Sequence, residues 1–158
     1  MLKRILALRI PKRLRALLQR EVGRLLYPYL CSMRMVEAPS YHLLLVEDDA
    51  DTVTLIRRII SRTPHMLMCA TTCTEAIQIV HDDAFDVLLI DIGLPDGTGI
   101  DVLEHARNTS FNRTTPALAL TAHALPGDRE RLLRVGFDAY VAKPFCRHDV
   151  LSAVDMLC

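Results

Sequence analysis

The chain has 158 residues, of which 51% are apolar and 24% charged, and its 19 basic and 19 acidic side chains give a net charge of zero. This length suits one domain with a real core, and the composition excludes a disordered chain. No segment approaches the roughly 18 uninterrupted apolar residues that a membrane-spanning helix needs. The five cysteines are scattered without CxxC spacing, which favours a reducing compartment and leads us to expect a cytoplasmic protein.

The zero net charge hides an uneven distribution. Residues 1–40 carry nine basic and two acidic side chains, whereas residues 41–158 carry ten basic and seventeen acidic ones. Such asymmetry indicates two parts with different roles. We therefore expect a basic amphipathic N-terminal segment, residues 1–40, followed by one domain, residues 41–158.

Within the basic segment, apolar residues recur at helix spacing between Pro11 and Pro28, which predicts a basic amphipathic helix. Three interpretations stay open. Residues 1–30 lie on an anionic membrane surface, which would make the protein peripheral at the membrane; or the helix packs against a partner or its own copy; or the start is misassigned and Met33 or Met35 begins the protein. Nucleic-acid binding is the weakest reading and is not expected, because the arginines lack aromatic interleaving and a recognisable reader fold.

The larger part alternates short apolar runs with stretches of helical periodicity. Runs of four or five residues without polar alternation are typical of strands buried on both faces. Five strand–helix repeats in this length predict an α/β fold with a parallel sheet and helices on both faces. The predicted strands are His42–Val46, Met66–Ala70, Val87–Ile90, Ala117–Leu120 and Ala139–Ala142.

Polar residues stand where these strands end. Glu47 and Asp48 follow the first strand, Asp91 follows the third, Thr121 closes the fourth, and Lys143 comes just after the fifth. Open α/β sheets bind ligands at the carboxyl ends of their strands. If the first and third strands are neighbours, Asp48 and Asp91 meet there. Two nearby residues are expected to serve structure alone: Asp49 as a helix N-cap, and Asp96, with Gly97, as a turn before the third helix.

Clustered carboxylates repel one another unless a cation lies among them, and a set of oxygen ligands favours Mg²⁺. A lysine facing the same pocket would neutralise phosphate charge, and a threonine hydroxyl would hydrogen-bond it. This combination is typical of phosphoryl transfer. An aspartate carboxylate can itself be the nucleophile, which gives an acyl phosphate.

Residues 41–158 resemble a response-regulator receiver domain of two-component signalling. The stretches that carry the resemblance are LLLVEDDADT, FDVLLIDIGLPDGTG, PALALTAHALPGDRE and GFDAYVAKPF. The stretches GLPDGTG and LTAHALPGDRE are most similar to those of receivers attached to hybrid histidine kinases. The resemblance implies a flavodoxin-like, doubly wound five-stranded parallel sheet of order 2-1-3-4-5 with five helices.

The resemblance also implies roles for individual residues. Asp91 corresponds to the phosphoacceptor. Asp48, Asp91 and the backbone carbonyl of Gly93 would be Mg²⁺ ligands, and Glu47 would act on the ion through water. Three further residues complete the implied set, namely Thr121 as the switch hydroxyl, Tyr140 as the switch aromatic and Lys143 as the phosphate-binding lysine. The Lys143-Pro144 peptide is expected to be cis, which proline permits at low cost.

The function implied is that of a signalling domain that a histidine kinase or a histidine phosphotransfer protein phosphorylates, and that signals through a protein partner. It is not a turnover enzyme, although it assists its own Mg²⁺-dependent phosphorylation and dephosphorylation. Three alternatives remain: a pseudo-receiver that only binds, the detached receiver portion of a hybrid histidine kinase, and a hydrolase of another Mg²⁺–aspartate family. The intact Asp48, Asp91, Thr121 and Lys143 argue against the first. Gly93 argues against the third, because such hydrolases typically have an acidic residue two positions after the nucleophile.

Overall fold

The computed structural model describes residues 39–122 and 127–158, which belong to a compact unit running from Pro39 to Cys158. The helix predicted between Pro11 and Pro28 lies outside the described residues. In the described part, no helix combines the length and the apolar character that crossing a membrane requires.

Five parallel strands alternate with five helices, as the apolar runs predict. In chain order they are β1 (His42–Val46), α1 (Ala50–Ile60), β2 (Met66–Ala70), α2 (Cys73–Asp82), β3 (Val87–Asp91), α3 (Gly99–Asn108), β4 (Ala117–Thr121), α4 (Asp128–Val135), β5 (Ala139–Ala142) and α5 (Arg147–Leu157). A two-stranded antiparallel hairpin, Gly93–Leu94 with Gly97–Thr98, connects β3 to α3. The sequence does not predict this hairpin, because two residues a side carry no periodicity.

The strand order is β2-β1-β3-β4-β5, which confirms the predicted flavodoxin-like topology. The register matters for function. Val46 pairs with Ile90, so the next residues, Glu47 after β1 and Asp91 at the end of β3, are neighbours. Asp91 in turn pairs with Leu120, and Thr121 with Ala142. The carboxyl ends of β1, β3, β4 and β5 therefore form one edge, along which the polar residues lie.

The strands are apolar on both faces because helices cover both. Leu44, Val46, Leu88 and Ile90 pack toward α2 and α3, whereas their neighbours along the strands pack toward α1 and α5. Fully burying one such side chain contributes about 1.5–3 kcal/mol. The sheet is thus a rigid platform, and the strand ends are the places where polar groups can be held without entering the core.

The start of α3 is packed directly against the backbone of Asp91. A Cβ added at Gly99 would clash with the Asp91 carbonyl oxygen and lie 2.7 Å from Ile90 Cγ2. A capping box fixes the same turn, because Thr98 Oγ1 accepts from Asp101 N at 3.2 Å while Asp101 Oδ2 accepts from Thr98 N at 2.9 Å. Glycine at position 99 is therefore a requirement of close approach.

We predict that Gly99→Ala lowers the free energy of unfolding by about 1–3 kcal/mol, the cost of overpacking against backbone that cannot move aside. Urea unfolding of the purified domain measures this difference. Gly93→Ala is the matched control, because a Cβ added there meets nothing within 4 Å. Equal stability of the two variants would contradict the packing argument.

Candidate functional site

The residues after β1 have different environments although they are adjacent in sequence. Glu47 is completely buried, and its backbone N–H donates to Ala70 O at 3.0 Å, which continues the pairing with β2. Asp48 is exposed. Asp49 is the N-cap of α1, since its Oδ2 accepts hydrogen bonds from Thr52 N at 2.9 Å and from Thr52 Oγ1 at 2.6 Å. The prediction that Asp49 is an N-cap is confirmed.

A single lysine joins the ends of β1 and β3. Lys143 Nζ donates to Asp91 Oδ2 at 2.8 Å and to Glu47 Oε1 at 2.9 Å, and it lies 2.7 Å from Glu47 Oε2 in an ion pair. The lysine is held there by its own backbone, because Lys143 N donates to Thr121 O at 2.7 Å. The Lys143-Pro144 peptide that follows is cis, as expected.

Burial and charge oppose each other in this cluster. Burial raises the pKa of Glu47, and the nearby Asp91 raises it further, while the hydrogen bond from Lys143 lowers it; the net pKa lies above the ordinary value. For Lys143 burial lowers the pKa, yet the hydrogen bonds and charges of Asp91 and Glu47 together outweigh burial and raise it. The lysine is therefore firmly protonated between two carboxylates.

The donor set fits a magnesium ion. One carboxylate oxygen from each of Glu47, Asp48 and Asp91 lies within 4.8 Å of the other two. All three donors are oxygens, which Mg²⁺ prefers. Glu47 Oε2 is buried, and Lys143 Nζ lies 2.7 Å from it. The exposed Asp48 leaves this cluster open to solvent on one side.

The remaining predicted site residues lie around this centre. Thr121 is buried at the end of β4, and Tyr140 pairs in register with Ala119, two residues before Thr121. Side chains two residues apart share a face of the sheet, so Thr121 and Tyr140 project on the same side of neighbouring strands. Gly93 is exposed, and its N–H donates to Asp91 Oδ1 at 3.5 Å.

One residue has a larger role than the sequence indicates. Asp96, in the turn of the hairpin, accepts hydrogen bonds from Cys73 N at 2.6 Å, Thr74 N at 2.9 Å and Thr74 Oγ1 at 2.7 Å. It thereby ties the segment after Asp91 to the start of α2. The partners are 22 and 23 residues away, and no local sequence signal announces a contact of that range.

Comparison with known proteins places this chain in one family. The family model described as the response regulator receiver domain matches residues 43–155. Among curated proteins, the polar-differentiation response regulator DivK of Brucella ovis is 30% identical over 102 residues, which cover 65% of this chain and 83% of that protein.

Solved structures of receiver domains are similar to this chain. The receiver domain of the sensor histidine kinase PA1611 from Pseudomonas aeruginosa PAO1, which has a magnesium ion coordinated in its active site cleft, superposes with a TM-score of 0.69 at 29% identity and covers 75% of this chain and 98% of its own. The chemotaxis protein CheY4 of Vibrio cholerae gives a TM-score of 0.71 at 22% identity, covering 76% and 100%. The second likeness concerns the fold alone.

The buried ion pair leads to a prediction about pH. Lys143→Met should lower the free energy of unfolding by about 3 kcal/mol near neutral pH in a chelating buffer, because it leaves Glu47 charged, buried and without its partner. The folded pKa of Glu47 then rises further above 4.5, its ordinary value. A carboxyl with a raised folded pKa destabilises the fold progressively as the pH rises above its ordinary pKa, so the loss should shrink as the pH falls from neutral toward about 5.

Urea unfolding at the two pH values measures both effects. Adding Glu47→Gln to Lys143→Met is the control, since it removes the more deeply buried of the two carboxylates that lose their partner and should reduce the pH dependence of the loss. A loss of the same size at both pH values in Lys143→Met would contradict the role given to Glu47.

Proposed function

This chain belongs to the response regulator receiver domain family, and from that membership we propose that it is the phosphoacceptor of a two-component phosphorelay, phosphorylated on Asp91. Receiver domains are signalling domains, and the donor we propose is a histidine kinase or a histidine phosphotransfer protein. The observation that carries the proposal is the Lys143 ammonium, 2.8 Å from Asp91 Oδ2 and beside the three-carboxylate cluster.

The transfer itself needs a nucleophile and charge compensation. A carboxylate oxygen of Asp91 attacks the phosphorus of a phosphohistidine, the phosphorus–nitrogen bond breaks, and the imidazole leaves with the bonding electrons and takes up a proton. Lys143 already contacts Asp91, so its ammonium group can donate hydrogen bonds to the phosphoryl oxygens and compensate their negative charge. Thr121, on the neighbouring strand end, would donate its hydroxyl to one of those oxygens.

We assign the metal ligands in the same way. Asp48, Asp91 and the carbonyl of Gly93 would hold Mg²⁺ directly, and the buried Glu47 would act through water. Bound there, Mg²⁺ neutralises the carboxylates and accepts phosphate oxygens as ligands. What the chain supplies is the placement of these oxygens: Asp91 at the end of β3, Asp48 on the exposed side, and Glu47 held down by Lys143.

The output follows from the shared face of Thr121 and Tyr140. When the Thr121 hydroxyl turns toward the phosphoryl group, it vacates space at the end of β4 that Tyr140 can fill from β5. The surface around β5 and α5 would then be the one that a downstream protein partner recognises. A partner that prefers this arrangement must in turn favour phosphorylation, because the two equilibria are linked.

Other parts of the assignment stay predictions of the sequence. These are the division into a basic segment, residues 1–40, and a receiver domain, residues 41–158, the cytoplasmic location, and a membrane contact through residues 1–30. A detached receiver portion of a hybrid histidine kinase is the second candidate, and the similarity to the PA1611 receiver favours it. A pseudo-receiver is disfavoured by the geometry of Lys143 on Asp91.

We predict that Asp91→Asn abolishes phosphoryl labelling by a small phosphodonor while the domain stays folded, because the change keeps the size of the side chain and removes the nucleophile. Hydroxylamine-sensitive labelling of the purified protein in Mg²⁺ measures it. Asp49→Asn is the matched control: it lies at the same edge of the sheet, and asparagine caps a helix as well as aspartate does. Undiminished labelling of Asp91→Asn would move the acceptor elsewhere.

The switch has its own test. Thr121→Ala should still accept a phosphoryl group on Asp91 but should lose the change in amide hydrogen exchange that phosphorylation produces across β5 and the start of α5. Exchange is followed with and without a beryllofluoride mimic of the phosphoryl group. Thr115→Ala is the control, since Thr115 is a buried threonine just before the opposite end of β4. The same exchange change in Thr121→Ala as in wild type would show that the hydroxyl does not couple the site to β5.

A further inference from the structure

The turn of the hairpin after Asp91 is fastened to the start of α2. Both carboxylate oxygens of Asp96 are used, one by Cys73 N and the other by Thr74 N and Oγ1, at 2.6–2.9 Å. Gly97 packs closely against Cys73, because an added Cβ would lie 2.9 Å from Cys73 Sγ. The contact therefore combines hydrogen bonds with tight packing.

The hairpin connects this contact to the site. Gly93 pairs with Thr98 and Leu94 with Gly97, so Asp96 lies in the turn that these pairs close. Gly93, whose carbonyl we propose as a metal ligand, is exposed and has open space where a side chain would be. On the other side of the hairpin, Gly99 N donates to Ile92 O at 3.0 Å. The strand end and α3 anchor one end of the hairpin, and Asp96 anchors its turn.

Helix α2 does not need Asp96 in order to begin. Its own N-cap is Thr72, whose Oγ1 accepts from Glu75 N at 3.1 Å. The first amides of a helix lack partners within the helix and attract negative charge, so those of Cys73 and Thr74 are available to a carboxylate from elsewhere. The hydrogen bonds from Thr74 and Cys73 hold the pKa of Asp96 below its ordinary value, so the carboxylate is ionised at neutral pH. The hairpin gains an anchor that the helix can supply without losing its cap.

We propose that Asp96 is a positioning residue for the metal and phosphoryl site: by holding the hairpin on α2, it places the Gly93 carbonyl for the ion. This inference rests on the proposed function and deepens it. Linkage requires the converse as well: an ion that selects the clamped hairpin strengthens the hydrogen bonds of the Cys73 and Thr74 amides. The start of α2 is thus a second region, separate from Thr121 and Tyr140, that responds to metal binding at the site.

The test is a Mg²⁺ titration followed by amide NMR, with hydrogen exchange of the Cys73 and Thr74 amides measured with and without Mg²⁺. Asp96→Ala should raise the dissociation constant for Mg²⁺ about 10-fold or more, which is typical of losing a group that orients a ligand. Exchange at the two amides should slow on Mg²⁺ addition in wild type and not in Asp96→Ala. Asp96→Asn keeps an acceptor oxygen and should recover part of the affinity.

Thr72→Ala is the matched control, because it removes a cap from the same helix end without touching the hairpin. It should lower the melting temperature and leave the Mg²⁺ affinity unchanged. An equal loss of affinity in Thr72→Ala and Asp96→Ala would overturn the proposal, since a loosened α2 would then suffice. Unchanged affinity in Asp96→Ala would overturn it as well.

One further variant separates this proposal from the function on which it rests. Asp48→Asn must weaken Mg²⁺ binding if the assigned metal site is correct. If it does and Asp96→Ala does not, only the positioning role fails; if wild type binds no Mg²⁺, both fail. If Asp96→Ala does not fold, Thr74→Ala replaces it in the test, because it removes one of the three hydrogen bonds. An Mg²⁺ affinity that is unchanged in both Thr74→Ala and Asp96→Asn would then overturn the proposal.

Discussion

The structure of this edge of the sheet depends on one ammonium group. Three carboxylates, from Glu47, Asp48 and Asp91, converge within 4.8 Å, and Lys143 is the cation that contacts two of them. Removing a charged group from water costs several kcal/mol even after relaxation, and only a close partner of opposite charge offsets that cost. One ammonium cannot balance three carboxylates. The excess of negative charge that remains explains why the cluster suits a divalent cation.

The fold makes this arrangement possible through register and close packing. Parallel strands bring their carboxyl ends to one edge, and the pairing of Val46 with Ile90 sets Glu47 and Asp91 side by side. The lysine comes from the far end of the chain, 96 residues after Glu47, and is held in place by its backbone hydrogen bond to Thr121 O. Glycine at position 99 lets α3 start against the Asp91 backbone. These constraints act on backbone atoms, so they fix where the strand ends lie.

The sequence predicts those features whose signals are local. Apolar runs locate all five strands to within one residue, and Asp49 is recognisable as an N-cap from the residues next to it. Two features escape for physical reasons. The complete burial of Glu47 is not predicted, because burial of a charge depends on a partner that is distant in sequence. Asp96 looks like an ordinary turn residue, because its hydrogen bonds go to amides in another helix. The hairpin itself is too short to show any periodicity.

The constraints on Asp91 come from both sides of its strand, and they differ in kind. Toward β4 and β5 lie Thr121 and Tyr140, which share one face of the sheet and whose side chains we propose to move on phosphorylation. Toward α2 lies the hairpin, whose turn is fixed by three hydrogen bonds to Asp96 and by the packing of Gly97 on Cys73. A phosphoryl group added at Asp91 would meet a movable side and a fixed one. If Asp91 is phosphorylated as we propose, we therefore expect displacement toward β5, because the hairpin on the other side is tied to α2.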